Sequence, residues 1–93
     1  MKPIILHLTL KKKWFDMIVS GEKREEYREI KPYWIKRLEG KHFDIIRAYN
    51  GYHKGRPTFD IECKGIRKGI PRPEWFYGVP ELVFVIELGN IIK

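Results

Sequence analysis

The densest group of residues with chemical potential lies between Gly21 and Glu29. Within it, Lys23, Glu26 and Arg28 place one carboxylate between two cations, and the i, i+2 spacing of Glu26 and Arg28 puts both on one face of a strand. A carboxylate whose pKa is raised by burial can activate water, and nearby cations can stabilise an oxyanion. The same cations favour the ionised carboxylate, so the pattern is compatible with both hydrolysis and anion binding.

The segment over residues 24–30 also has a purely structural interpretation. It reads as a strand, but neither of its two faces is plainly apolar. A charge-laced edge strand resists pairing with other chains. If its charges are instead turned inward, each must be paired and hydrogen-bonded. The sequence therefore predicts either a solvated edge strand or a buried ion cluster, with Lys23 able to swing toward Glu26 and Arg28.

Three consecutive lysines, Lys11, Lys12 and Lys13, come at the predicted start of the first helix. Cations at a helix N-terminus oppose the helix dipole at a cost of about 0.3–1 kcal/mol each. The free backbone amides at that end favour an anion such as phosphate. The run predicts either a surface that faces a polyanion or an ordinary solvated lysine run.

Two further segments interleave cations with aromatic rings, a composition that suits base stacking combined with phosphate contacts. The candidate nucleic-acid-binding residues of the first segment are Arg47, Tyr49, Asn50, Tyr52, Lys54 and Arg56. Those of the second are Arg67 and Lys68, ahead of a Trp-Phe-Tyr run at 75–77. The structural alternatives are tyrosines that pack on a barrel rim and an aromatic run that folds back as a lid or plug.

The candidate residues lie on short predicted strands and helices and in the loops between them. Apolar patterning predicts strands over residues 4–10, 24–30, 43–50, 58–64 and 82–88, and helices over 11–20 and from Pro32 to about Leu38. Glycines and prolines predict a long loop over 65–81. Because helices and strands do not alternate regularly, a doubly wound sheet is excluded. We predict an α+β fold of about five strands, either a small, strongly bent mixed sheet or a partly closed mixed β-barrel, with two short helices at its ends.

Several isolated side chains are interpreted as parts of the core. His7 lies in a strand predicted to be buried, Cys63 shares the apolar face of its strand, and Trp34 begins the second helix. Tyr33, its neighbour, is predicted to line a cleft. Glu87 interrupts an apolar strand and is predicted to point outward.

Length and composition limit the function classes. The 93 residues fit one domain over 1–93, and the aromatic content of 14% excludes disorder. No apolar run is long enough for a membrane span. The single cysteine excludes a disulfide scaffold, and no spacing indicates structural zinc. We predict a cytoplasmic protein with no cofactor, although a nuclease built on these residues could recruit a divalent metal ion, as ribonucleases do, through Glu26 and a second carboxylate.

The charge is strongly positive and unevenly distributed. Nineteen Lys and Arg against 12 Asp and Glu give a net charge of +7, which predicts a polyanionic partner. Residues 53–72 hold six cations and two acids, whereas residues 22–29 hold three cations and four acids. We therefore expect the cation-rich segment 53–72 to attract a nucleic acid and the nearly neutral segment 22–29 to discriminate between ligands.

Gly21, Lys23, Glu26 and Arg28 together spell G-x-K-x-x-E-x-R between a predicted helix and a predicted strand. This pattern resembles the signature of the ASCH domain, a branch of the PUA-like (pseudouridine synthase and archaeosine transglycosylase) superfamily. The stretches ILHLTLKKKWFDMI, EEYREIKPYWIKRL, IRAYNGY, FDIECKGI and VFVIELG resemble one small-ASCH subgroup. The resemblance thus covers almost the whole chain and implies a PUA-like barrel with a cleft where the three polar residues converge.

The resemblance also implies a function. Such clefts bind RNA or a nucleotide beside the first helix, and some members are ribonucleases or remove the acetyl group of N4-acetylcytidine. The amidohydrolase branch uses the signature Lys, a Thr three residues later and a downstream Glu, and here Glu26 stands at the Thr position.

We therefore expect an RNA- or modified-nucleotide-binding domain centred on Lys23, Glu26 and Arg28. A small hydrolase that uses these residues catalytically, and an adaptor for an acidic protein, are the alternatives. The oligomeric state stays open.

Overall fold

Five strands and two α-helices form the part of the chain that the computed structural model describes, residues 2–92. In order they are β1 (Ile5–Leu10), α1 (Lys12–Val19), β2 (Glu25–Glu29), α2 (Pro32–Leu38), β3 (Ile45–Asn50), β4 (Thr58–Gly69) and β5 (Val83–Ile92). A 3-10 turn, Pro73–Trp75, lies between β4 and β5. The predicted order of elements is confirmed. Proline opens α2 because the first turn of a helix does not use its backbone N–H groups.

The strands form one mixed sheet in the order β1-β3-β4-β5-β2. Only the β1–β3 pair is parallel among the pairings of the described residues. The two edge strands, β1 and β2, approach each other because the sheet curls, and the Arg28 guanidinium on β2 donates to the Thr9 carbonyl on β1 at 3.1 Å. The sheet is a half-barrel, and we call the gap between its edge strands the seam. The predicted barrel-like α+β fold is confirmed at this level.

Alternating side chains give the sheet two apolar faces. On β5, Phe84 and Ile86 join the main core with Phe15 and Ile18 of α1. On the opposite face, Val83 and Val85 form a second, smaller core with Tyr27, and Trp75 and Phe76 pack against it. The prediction that the aromatic run 75–77 folds back onto the core is confirmed for these two rings. Both faces of the β2–β5 end of the sheet are therefore covered.

The predicted loop over residues 65–81 is wrong for its first five residues, because β4 continues to Gly69. The pairing with β5 shifts register between Ile61 and Cys63 and again between Cys63 and Gly65. A β-bulge of this kind lets a strand bend and then resume its ladder, so a glycine within it does not end the strand. β5 likewise runs to Ile92, beyond its predicted end.

The prediction of a buried His7 is also wrong. β1 buries only alternate residues, so that Leu6 and Leu8 face the core while His7 is exposed on the other side. The His7 ring stacks on Tyr49 of β3 with centroids 5.8 Å apart, and its Nδ1 lies 2.8 Å from the Tyr49 hydroxyl. His7 is therefore available to the surface beside the seam.

Candidate functional site: a polar cleft at the seam

The turn between α1 and β2 places the side chain of Lys23 in the protein interior. Gly21 adopts a φ of +86° in this turn, a conformation that residues with a Cβ rarely adopt, and this accounts for the first residue of the G-x-K-x-x-E-x-R pattern. The Lys23 side chain is only 1% exposed. Its Nζ donates to the Glu25 carbonyl and, at 2.5 Å, to Oε1 of Glu26. The prediction that Lys23 swings toward Glu26 is confirmed.

Arg28 lies on the other side of the same carboxylate. Its Nη1 donates to Oε2 of Glu26 at 2.6 Å and to the Tyr27 carbonyl at 2.7 Å, while its Nη2 reaches across the seam to the Thr9 carbonyl. Three of the five N–H donors that a guanidinium carries are engaged in this way. The group is held by both edge strands, and Arg28 is one of the residues that line the cleft.

Lys23, Glu26 and Arg28 form an ion cluster that we call the triad. Glu26 is 6% exposed, and each of its carboxylate oxygens accepts a bond from a different cation. Burial lowers the pKa of Lys23, and the nearby carboxylate opposes that shift. The carboxylate therefore bridges the two cations, and both Glu26 and Arg28 line the cleft.

The cleft at the seam is a cavity of about 650 Å³, within the range of small-molecule sites. Glu26 and Arg28 contribute polar atoms to its lining, and Lys23 lies beneath that surface. Aromatic side chains make up most of the rest of the wall: Trp14, Tyr27, Tyr33, Trp34, Tyr52, Trp75, Phe76 and Tyr77. An aromatic-lined cavity with a cationic donor is suited to a ring that stacks and accepts hydrogen bonds.

One tryptophan lies beside each cation of the triad. The Trp14 ring centroid on α1 is 5.4 Å from Lys23 Nζ, and the Trp34 ring centroid on α2 is 5.2 Å from Arg28 Cζ. These are cation–π distances. The sequence predicts Trp34 as a core residue, and the structure shows it packing against the core and lining the cleft at once. The predicted placement of Tyr33 beside the cleft is confirmed.

The predicted lysine run is divided between different environments. Lys11 lines the cleft and is exposed. Lys12 pairs with Asp16 one turn along α1 at 2.5 Å, and Lys13 donates to the Tyr77 hydroxyl. Of the three, Lys11 is the one placed to contact a ligand in the cleft.

The predicted hairpin residues are also divided. Tyr49, Tyr52, Lys54 and Arg56 surround a second, more open cavity of about 510 Å³. Asn50 ends β3, and its backbone N–H donates to the Pro57 carbonyl at 3.0 Å, which closes the hairpin. Arg47 forms a bidentate pair with Asp60 at 2.8 and 3.0 Å, and this bonding lowers the pKa of Asp60.

The two predicted binding residues on β4 already have acidic partners. Arg67 bonds Glu25 at 3.0 Å and Glu87 at 3.1 Å, and Lys68 pairs with Glu39. Neither lines the cleft. Their contribution to nucleic-acid binding stays a prediction, and these pairs would have to open before either cation could neutralise a phosphate.

Sequence reasoning missed the Thr9 carbonyl, which holds Arg28 across the seam. No sequence signal marks it, because every residue carries a backbone carbonyl. Periodicity places Trp14 only on the apolar stripe of the first helix. A tryptophan nine residues before Lys23 has no periodic relation to it, and the turn at Gly21 brings the two together.

Comparison with protein-family models, with curated proteins and with solved structures finds nothing that matches this chain. The resemblance to the ASCH domain therefore stays a prediction. Over residues 2–92, none of the helices has the length and apolar character needed to cross a membrane. In the same range, no three His, Cys, Asp or Glu side chains are grouped as metal ligands.

Proposed function

We propose that the protein is an ASCH-type domain with a PUA-like barrel that binds RNA or a modified nucleotide in the cytoplasm, holding one base in the cleft at the seam. The observation that carries this proposal is the Arg28 guanidinium, fixed by Glu26 and two backbone carbonyls in an aromatic-lined cavity. A fixed donor beside stacking surfaces is the combination that recognises a flat heterocycle with acceptor atoms on its edge.

Stacking on the aromatic side chains would contribute affinity that does not depend on the identity of the base. Base–aromatic stacking contributes about 1–3 kcal/mol per base in single-strand-binding proteins. Trp14 and Trp34 offer that surface, and each ring lies at a cation–π distance from one cation of the triad. Arg28 then adds selectivity, because its remaining N–H donors bond a carbonyl or ring nitrogen and have no partner on a purely apolar ring.

Electrostatic attraction between the cationic protein and the phosphates of the RNA would contribute the rest of the binding affinity. The net charge of +7 draws a polyanion toward the surface, and Lys11 places one ammonium at the cleft wall. Affinity for a single-stranded RNA should then fall with salt, with a slope of about −0.7 per phosphate contact on a log–log plot.

The test is a titration of the full chain with the four ribonucleoside monophosphates, N4-acetylcytidine and a short single-stranded RNA. We expect quenching of tryptophan fluorescence, because Trp14 and Trp34 line the cleft, and weaker RNA binding as salt rises. Absence of quenching and of heat at millimolar nucleotide would overturn the proposal. An RNA affinity that does not change with salt concentration would contradict the proposed phosphate contacts.

A hydrolase is the second candidate, and one observation favours it. Burial lowers the pKa of Lys23, which favours the neutral amine that a general base or a nucleophile requires. Against this, Lys23 is buried beneath the cleft wall, where a substrate does not touch it. We expect end-labelled RNA and N4-acetylcytidine to be recovered intact after long incubation with the protein. Turnover that is lost in Lys23→Ala would establish the hydrolase instead.

A further inference from the structure

The hairpin between β3 and β4 carries a second cavity beside the cleft. The residues around it are Tyr49, Tyr52, His53, Lys54, Gly55, Arg56 and Thr58. Tyr52 belongs to the walls of both cavities, and its side chain is 87% exposed. A ring so exposed adds little to the core, and it forms part of the wall of both cavities.

A second contact joins the two cavities. His7 lines the cleft, Tyr49 lines the hairpin cavity, and their rings stack with a hydrogen bond between them. Arg56 lies over the same Tyr49 ring at 4.2 Å from its centroid and donates to the Gly51 carbonyl at 2.8 Å. The hairpin is thus tied to β1 and β3 by aromatic and cationic contacts, which give its cavity a defined shape.

The hairpin is also locally cationic. Residues 50–57 contain two cations, Lys54 and Arg56, and no acid. Over residues 2–92, no salt bridge involves either of them, in contrast to Arg47, Arg67 and Lys68. Unpaired cations around an exposed tyrosine form the combination of phosphate attraction and stacking surface that single-stranded nucleic acids use.

We infer that the hairpin cavity is a second nucleotide subsite, and that the ligand is a single-stranded oligonucleotide instead of a free nucleotide. This inference rests on the proposed function of the cleft. One base occupies the cleft, the linking phosphate faces Lys54 and Arg56, and the neighbouring base stacks on Tyr52. Covalent linkage of the two nucleotides makes the second contact intramolecular, so the affinities reinforce each other.

The test compares each ribonucleoside monophosphate with its 5′-phosphorylated homodinucleotide by calorimetry on the full chain. We expect the dinucleotide to bind about tenfold more tightly or better, as the stacking of one extra base implies. Lys54→Ala and Tyr52→Ala should reduce that ratio to about the statistical factor of two. Tyr33→Ala is the matched control, since Tyr33 lines only the cleft, and should weaken both ligands while it preserves the ratio.

The outcomes separate the two proposals. If neither ligand binds, the proposed function fails and the inference fails with it. If the monophosphate binds but the dinucleotide gains nothing, the cleft site stands and the second subsite is wrong. The second subsite is equally wrong if the ratio survives in both hairpin variants. Both substituted side chains are exposed, and a circular dichroism spectrum equal to that of the wild type checks that the fold is retained.

Discussion

Replacing Glu26 with glutamine should lower the free energy of unfolding by about 3–5 kcal/mol, the cost of leaving a buried charge without its partner. Lys23 is almost fully buried, and Glu26 is the anion that it contacts. Glutamine has nearly the same size and still accepts a hydrogen bond, so the loss reports charge and not packing. Small domains typically have a free energy of unfolding of about 5–15 kcal/mol, so this loss would be a large fraction of the total. Urea denaturation measures the free energy of unfolding of both proteins.

The pH dependence of that variant should identify Lys23 as the cause. Burial holds the pKa of folded Lys23 below its ordinary value of 10.5, and Glu26 opposes the shift. Without the carboxylate, the folded-state pKa falls further. Between that value and 10.5 the unfolded chain binds more protons than the folded one, so the stability of the variant rises with pH through this window. The wild type should show the same trend over a narrower range.

Two controls test whether the stability loss in Glu26→Gln comes from an unpaired buried charge. Adding Lys23→Met to Glu26→Gln removes the unpaired charge and should recover part of the lost stability. Glu39→Gln breaks an exposed pair with Lys68 and should cost no more than about 1 kcal/mol. If Glu26→Gln costs as little as Glu39→Gln, the triad is not a desolvated ion cluster.

Exchanging Arg28 for lysine should weaken nucleotide binding by about 10- to 100-fold, as expected for losing a hydrogen bond from a charged donor worth about 1.5–3 kcal/mol. Lysine keeps the positive charge but has three donors at one point. It cannot bond Glu26 and the Tyr27 and Thr9 carbonyls and still offer a donor to a ligand, whereas the planar guanidinium bonds all three and keeps two further N–H donors. Calorimetric titration with the tightest-binding monophosphate measures the loss.

Arg24→Lys is the matched control, because Arg24 is exposed beside the same strand and does not line the cleft. It should bind nucleotide as the wild type does. Equal affinities for Arg28→Lys and wild type would mean that the ligand does not contact the guanidinium, and the proposed recognition would be wrong. Urea denaturation of both variants separates lost binding from lost folding.

Much of the local structure follows from the sequence. The proline at 32 and the apolar spacing after it predict α2 as observed, and the i, i+2 spacing of Glu26 and Arg28 predicts that they share a face. The two failures have different causes. His7 is exposed because β1 alternates its faces and only one of them is buried, which its continuous apolar run did not reveal. The continuation of β4 past Gly65 depends on its pairing with β5 across a register shift, and the neighbouring residues do not specify that pairing.

The net charge of +7, the short elements and the Lys-Glu-Arg spacing are properties of the sequence alone, because each depends on residue type or on a few consecutive positions. Only the tertiary structure decides which cations remain available. Arg67 is paired with Glu25, 42 positions away, while Arg28 bonds Thr9 across the seam because the sheet curls. Charge pairing acts through space at a few ångströms, so folding decides which cations of the excess meet an acid, as Arg67 does, and which meet none among residues 2–92, as with Lys54 and Arg56.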